Sequence, residues 1–104
     1  MNKVPKKFEK FTKDYPDVAK AYDDLSHTVH KSGPLDVKTR SLIKLGISTG
    51  SRQEGAVHSH TRKALEAGAT KEEIRHAVLL SLPTIGFRNM MAAMSWVNDI
   101  LEEL

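Results

Sequence analysis

The sequence predicts an all-α fold. Apolar side chains recur three and four residues apart along most of its 104 residues, as they do on one face of a helix. Residues that cap helices, and glycines or prolines that end them, separate these stretches. No segment alternates apolar and polar residues as a half-buried strand does. We therefore expect one domain over residues 1–104, built from about six helices.

Composition and charge indicate an ordinary soluble protein. Hydrophobic residues make up 39% of the sequence and charged residues 28%, and the net charge of +3 is dispersed among acidic side chains. We therefore expect neither nucleic acid nor a membrane as partner. The N-terminus lacks the apolar segment of a signal peptide, so we expect a cytoplasmic protein. The absence of cysteine excludes disulfides, thiolate ligands and thiol nucleophiles.

Two helices are expected before residue 35. The basic segment 1–15 contains Phe8 and Phe11 three residues apart, which predicts a short amphipathic helix that docks onto another surface. Pro16 suits the first position of a second helix, which Gly33 ends. The apolar stripe of that helix consists of Val18, Tyr22, Leu25 and Val29.

The third and fourth helices follow the same local rules. Asp36 is a good N-cap for a helix over residues 37–49. Gly46 lies within that helix, where it costs about 1 kcal/mol relative to Ala, and this predicts a close helix crossing. The fourth helix is expected over about residues 52–67, with Gly68 at its end.

The last two helices are the most apolar. Thr70 and Glu73 form a capping box for the fifth helix, which Pro83 and Gly86 interrupt. The final helix, over about residues 88–104, has more apolar surface than one side of a small bundle needs. Its large apolar residues include Met90, Met91, Met94 and Trp96. This surface is either core or the interface of a homo-oligomer.

The fourth helix holds the densest group of reactive side chains. Glu54 and His58 are four residues apart, so they meet on one face, and a carboxylate beside an imidazole suits acid–base catalysis. His60 lies about 200° around the helix from His58, on the apolar stripe, where small neighbours leave room for a pocket. The competing interpretation is a buried structural histidine and a surface Glu54–His58 pair.

Two further interpretations concern ligands. The Glu54–His58 pair together with His27, His30 or His76 would supply metal ligands, but no spacing matches a dedicated metal motif, so we expect no metal and no cofactor. Nearby cations offer positive charge to the carboxylate of a small organic acid, or they simply face solvent. These cations are Arg40, Lys44 and Arg52.

The stretch from Thr39 to Ile74, and above all HTRKALEAGATKEEI from His60, resembles the carboxymuconolactone decarboxylase family, which includes alkyl hydroperoxidase D-like proteins. The resemblance covers residues 35–104. It implies an alkyl hydroperoxidase D-like helical subunit that forms a trimer or hexamer through the Met- and Trp-rich last helix.

The same resemblance implies which chemistry is absent. Matching the family's histidine to His60 puts Gln53 and Ala56 at its two redox cysteines and Ser41 at its glutamate. Thiol peroxidase activity is therefore not expected, since it needs a thiolate. This leaves three hypotheses, in the order in which we favour them. The first is a lyase-type enzyme acting on a small acid or lactone, with His60 as acid or base, Glu54 orienting, and Arg52 or Arg40 binding carboxylate. The second is a non-catalytic binding or scaffold protein, and the third is a hydroperoxidase.

Overall fold

The computed structural model describes residues 6–103, which form seven helices and no strand. The helices are α1 (Lys6–Asp14), α2 (Pro16–His30), α3 (Val37–Gly50), α4 (Glu54–Glu66), α5 (Lys71–Leu79), α6 (Leu82–Ile85) and α7 (Phe87–Leu101). The all-α prediction is confirmed. Residues 1–5, the start of the predicted basic segment, and Leu104, the predicted end of the last helix, lie outside the described residues.

The chain divides into two compact units, one up to Leu35 and one from Asp36 onward. In the first unit, α1 and α2 contact each other. The predicted stripe of α2 is solvent-exposed, with Val18 56% and Tyr22 66% accessible. None of the described helices combines the length and the apolar character that crossing a bilayer requires.

The second unit packs α3, α4, α5 and α7 around one apolar core. Its fully buried large side chains include Leu45, Val57, Ile74, Val78, Val97 and Leu101. Most apolar residues of α7 belong to this core, while Phe87 and Met91 remain exposed. The core thus accounts for much of the apolar surface of the last helix, and the homo-oligomer stays a prediction.

The predicted caps set the start of two helices in the second unit. The Asp36 carboxylate accepts a hydrogen bond from the Thr39 backbone N–H at 2.8 Å. Thr70 and Glu73 form the full capping box, with hydrogen bonds of 2.9 and 3.0 Å. Glu73 also accepts from Lys38 Nζ at 2.9 Å, which ties the start of α3 to the start of α5.

Two glycine and proline predictions are wrong. Gly46 does not mark a close helix crossing, because a Cβ added there would meet no heavy atom within 4 Å. It instead lines an open groove between α3, α5 and α6. Pro83 does not interrupt structure either, since it lies in the first turn of the short helix α6. Proline is tolerated there because the first helical N–H groups have no partner within the helix.

Candidate active site on helix α4

Helix α4 is positioned by its contacts with α3 and α7. Val57, Thr61 and Ala64 are its buried residues, and the Thr61 hydroxyl donates to the Val57 carbonyl at 2.7 Å. The helix starts after a sharp turn in which Arg52 has φ of 56°, a left-handed conformation that non-glycine residues rarely adopt. The buried seam fixes the rotation of α4 and therefore the directions in which its two central histidines point.

One histidine, His58, pairs with a carboxylate of another helix. Its Nε2 atom lies 3.0 Å from Asp99 Oδ2 on α7. Glu54 joins them, since one potential ligand atom of each of the three residues lies within 4.8 Å of the others. The structure therefore brings the predicted pair Glu54 and His58 together, and it adds Asp99, which sequence reasoning missed. The available signal was that Asp99 is the single acidic residue within α7.

The other histidine, His60, is half-buried among cations. Burial, then the charges of Lys63 and Lys44, lower the pKa of His60 from 6.5 to about 4. Lys63 follows His60 by one helical turn, and Lys44 comes from α3. The His60 imidazole is consequently neutral at pH 7, with one ring nitrogen donating and the other accepting.

The cations around His60 extend along α3. Burial, then Lys63 and Arg40, lower the pKa of Lys44 below its ordinary value. Of the three predicted cations, Lys44 and Arg40 therefore belong to one basic group with Lys63. Sequence reasoning missed Lys63, although its spacing of three from His60 was visible. Arg52 is exposed in the turn before α4.

Helix geometry separates Glu54 from His60. Six residues correspond to about 9 Å along the axis and about 120° of separation around it. Glu54 lies on the side of His58 and Asp99. The predicted site residues on α4 thus divide between an acidic side, defined by Glu54, His58 and Asp99, and a basic side, defined by His60, Arg40, Lys44 and Lys63.

The three positions aligned with the redox residues of the hydroperoxidases carry no thiol. The Ser41 hydroxyl donates to the Val37 carbonyl of its own helix at 2.8 Å. Gln53 is the exposed residue that precedes α4, and Ala56 is half-buried within it. None of these side chains supplies redox chemistry.

A groove of about 570 Å³ lies elsewhere in the second unit. Residues of α3, α5 and α6 line it, together with residues of the α5–α6 connection, and no α4 residue is among the described residues that do so. Its polar lining includes Thr39, Glu73, His76 and Ser81. The pocket expected beside His60 is therefore not this groove.

Comparison with known proteins gives matches along most of the chain. The sequence profile of the carboxymuconolactone decarboxylase family matches residues 16–99. An uncharacterised protein of Methanocaldococcus jannaschii is 36% identical over 91 residues, covering 86% of this chain and 84% of that protein. The nitrosuccinic acid decarboxylase of Metarhizium robertsii is 35% identical over 80 residues, covering 73% of this chain and 56% of that enzyme. An uncharacterised Haemophilus influenzae protein is 34% identical over 61 residues, covering 59% of this chain and 54% of that protein. This chain spans about half the length of the last two relatives.

Proposed function

The chain belongs to the carboxymuconolactone decarboxylase family, and on that premise we propose that it decarboxylates a small organic acid at the basic side of α4. His60 is the proposed proton-transfer group, and Lys44, Lys63 and Arg40 are the proposed anion-binding groups. The observation that carries the proposal is a half-buried imidazole with cationic neighbours on α3 and α4.

This arrangement fits a substrate with one or more carboxylates. Lysine and arginine side chains bind carboxylates through charge-assisted hydrogen bonds, which are stronger when partly buried. Burial of Lys44 and His60 provides such surroundings. The cations also offset the charge that a decarboxylation intermediate develops.

The reaction needs a broken C–C bond and one proton. The carboxylate leaves as CO₂, and the electron pair of the broken bond moves into an adjacent nitro or carbonyl group. The carbon then takes up a proton to give the product. His60 can deliver that proton from its N–H while its other ring nitrogen accepts a replacement.

The name of one relative narrows the substrates to test first. The Metarhizium robertsii protein is called a nitrosuccinic acid decarboxylase, and it matches residues over 73% of this chain. We therefore propose small dicarboxylic acids with an electron-withdrawing group beside one carboxylate. Nitrosuccinic acid, β-keto acids and small lactones form the first panel.

The test is release of CO₂ from this panel by the purified chain and by His60→Gln. General acid–base catalysis contributes about 10²–10⁴-fold, so we expect kcat to fall by at least about 100-fold. His27→Gln is the matched control, because His27 is an exposed histidine of the first unit. Equal turnover by wild type and His60→Gln would rule out catalysis by His60.

We also propose that the chain forms a homo-oligomer, a trimer or a hexamer, through its last helix. Phe87 and Met91 support this, since they expose large apolar side chains on α7. Light scattering after gel filtration should give the mass of several chains, and Phe87→Glu should lower that mass. A monomeric wild type would contradict the assembly without affecting the proposal for His60.

A second candidate is a binding function at the groove between α3, α5 and α6. Its volume of about 570 Å³ lies within the range of small-molecule sites. A ligand there would raise the melting temperature of wild type and of His60→Gln equally. Thiol peroxidase activity, the third hypothesis, needs a thiol that the sequence lacks, so a peroxide assay with a dithiol reductant should show no turnover.

A further inference from the structure

We propose that Glu54, His58 and Asp99 bind a divalent transition-metal ion on the acidic side of α4. Each residue offers one ligand atom, and these three atoms lie within 4.8 Å of one another. Two of them come from α4 and the third from α7, so the site depends on the packing of these two helices. The site is distinct from the basic side, which it does not share a residue with.

The donor set favours a metal ion over a simple ion pair. One imidazole nitrogen and two carboxylates give three protein ligands and two negative charges, a set that matches Zn²⁺ with water in the remaining position. A lone histidine needs one carboxylate partner, and Asp99 already provides it. The second carboxylate, Glu54, is left over by that pairing and is explained by a cation.

The distances are close to those that coordination needs. Metal–ligand bonds of about 2.0–2.2 Å put neighbouring ligand atoms roughly 3.0–3.5 Å apart. The Nε2 atom of His58 and Oδ2 of Asp99 are already 3.0 Å apart. Glu54 begins within 4.8 Å and is exposed, so a rotation of its side chain closes the remaining gap.

Exposure of two ligands decides what the ion would do. Glu54 and Asp99 are exposed and His58 is half-buried, so the open coordination position faces solvent. A bound ion would join the start of α4 to the end of α7 and carry water on its outer side. We therefore expect it to stabilise the second unit.

Calorimetric titration with Zn²⁺ tests the site on the full chain after treatment with a chelator. We expect saturable binding of one ion per chain. His58→Ala removes the imidazole ligand and should abolish this binding, and Asp99→Asn should weaken it by at least about ten-fold, since each removes one of three ligands. The absence of saturable binding to folded wild type would overturn the proposal.

The control variant is Glu66→Gln, which removes an exposed carboxylate from the same helix. It should bind Zn²⁺ as wild type does, whereas equal weakening by Glu66→Gln and Asp99→Asn would indicate only nonspecific attraction. Thermal unfolding supplies a second measurement. Zn²⁺ should raise the melting temperature of wild type but not of Asp99→Asn, because a ligand stabilises the native state that binds it. A melting temperature that rises equally in both proteins would contradict the site.

Discussion

The two central histidines of α4 are two residues apart and lie in opposite electrostatic surroundings. His58 faces the carboxylates of Asp99 and Glu54. His60 is half-buried beside Lys44 and Lys63. One helix therefore presents the same side chain once to negative and once to positive charge.

The difference arises from which helix packs on each side. α7 contributes the carboxylate that contacts His58, and α3 contributes Lys44. A residue's chemistry on α4 is thus set by its rotation about the helix axis, since two residues correspond to about 200°. An acidic side suits a cation, and a basic side suits an anionic substrate.

The largest expected effect that sharpens this comparison comes from Lys44→Gln. A hydrogen bond to a charged group contributes about 1.5–3 kcal/mol, so losing it should lower kcat/KM for a carboxylate substrate by about 10- to 100-fold. CO₂ release measures this change. Lys71→Gln is the control, because Lys71 is an exposed lysine at the start of α5. If both variants retained wild-type kcat/KM, Lys44 would not bind the substrate.

The second prediction concerns the pKa of His60 in metal-free protein. Burial, and then Lys63 and Lys44, lower it to about 4, against 6.5 in the unfolded chain. Between these values the unfolded chain binds more protons, so the free energy of unfolding should fall as the pH drops from 6.5 to about 4. Titration of the imidazole followed by NMR should give this low pKa, and Lys63→Gln should raise it. A pKa near 6.5 would mean that the basic side does not act on His60.

The fold was predictable where its signals are local. Asp36 and Thr70 cap the helices that they were expected to cap, because each cap depends on residues three positions away. α3 was expected over residues 37–49 and ends at Gly50. The errors at Gly46 and Pro83 have a different origin. Both residue types have several structural uses, and only the surrounding helices decide which one applies.

The candidate site was predictable only in part, for the same reason. The spacing of Glu54 and His58 shows that they meet, because both lie on one helix. Asp99 is 41 residues from His58, so no spacing rule could join them. The partnership of Lys44 with His60 likewise requires α3 to pack beside α4.

Arg52→Gly asks whether the basic side extends into the turn before α4. Arg52 has φ of 56°, and a left-handed residue with a side chain costs about 1–2 kcal/mol, so glycine should raise the free energy of unfolding by about 1 kcal/mol. Urea denaturation measures this gain. Ser51→Gly is the control and should show no gain, since Ser51 has φ of −82°. A fall in kcat/KM of Arg52→Gly would place Arg52 among the substrate-binding residues.

Gly46→Ala has the smallest expected effect, and it tests whether function belongs to α4 or to the groove. Alanine is favoured over glycine by about 1 kcal/mol inside a helix, and its Cβ would meet no heavy atom within 4 Å. Unfolding should therefore cost up to about 1 kcal/mol more, whereas Gly68→Ala should destabilise the chain because Gly68 has φ of 94°. Because Gly46 lines the groove, the new methyl group would reduce the space there. Turnover that stays at the wild-type value would keep the chemistry at His60, and turnover that falls while stability rises would move it to the groove.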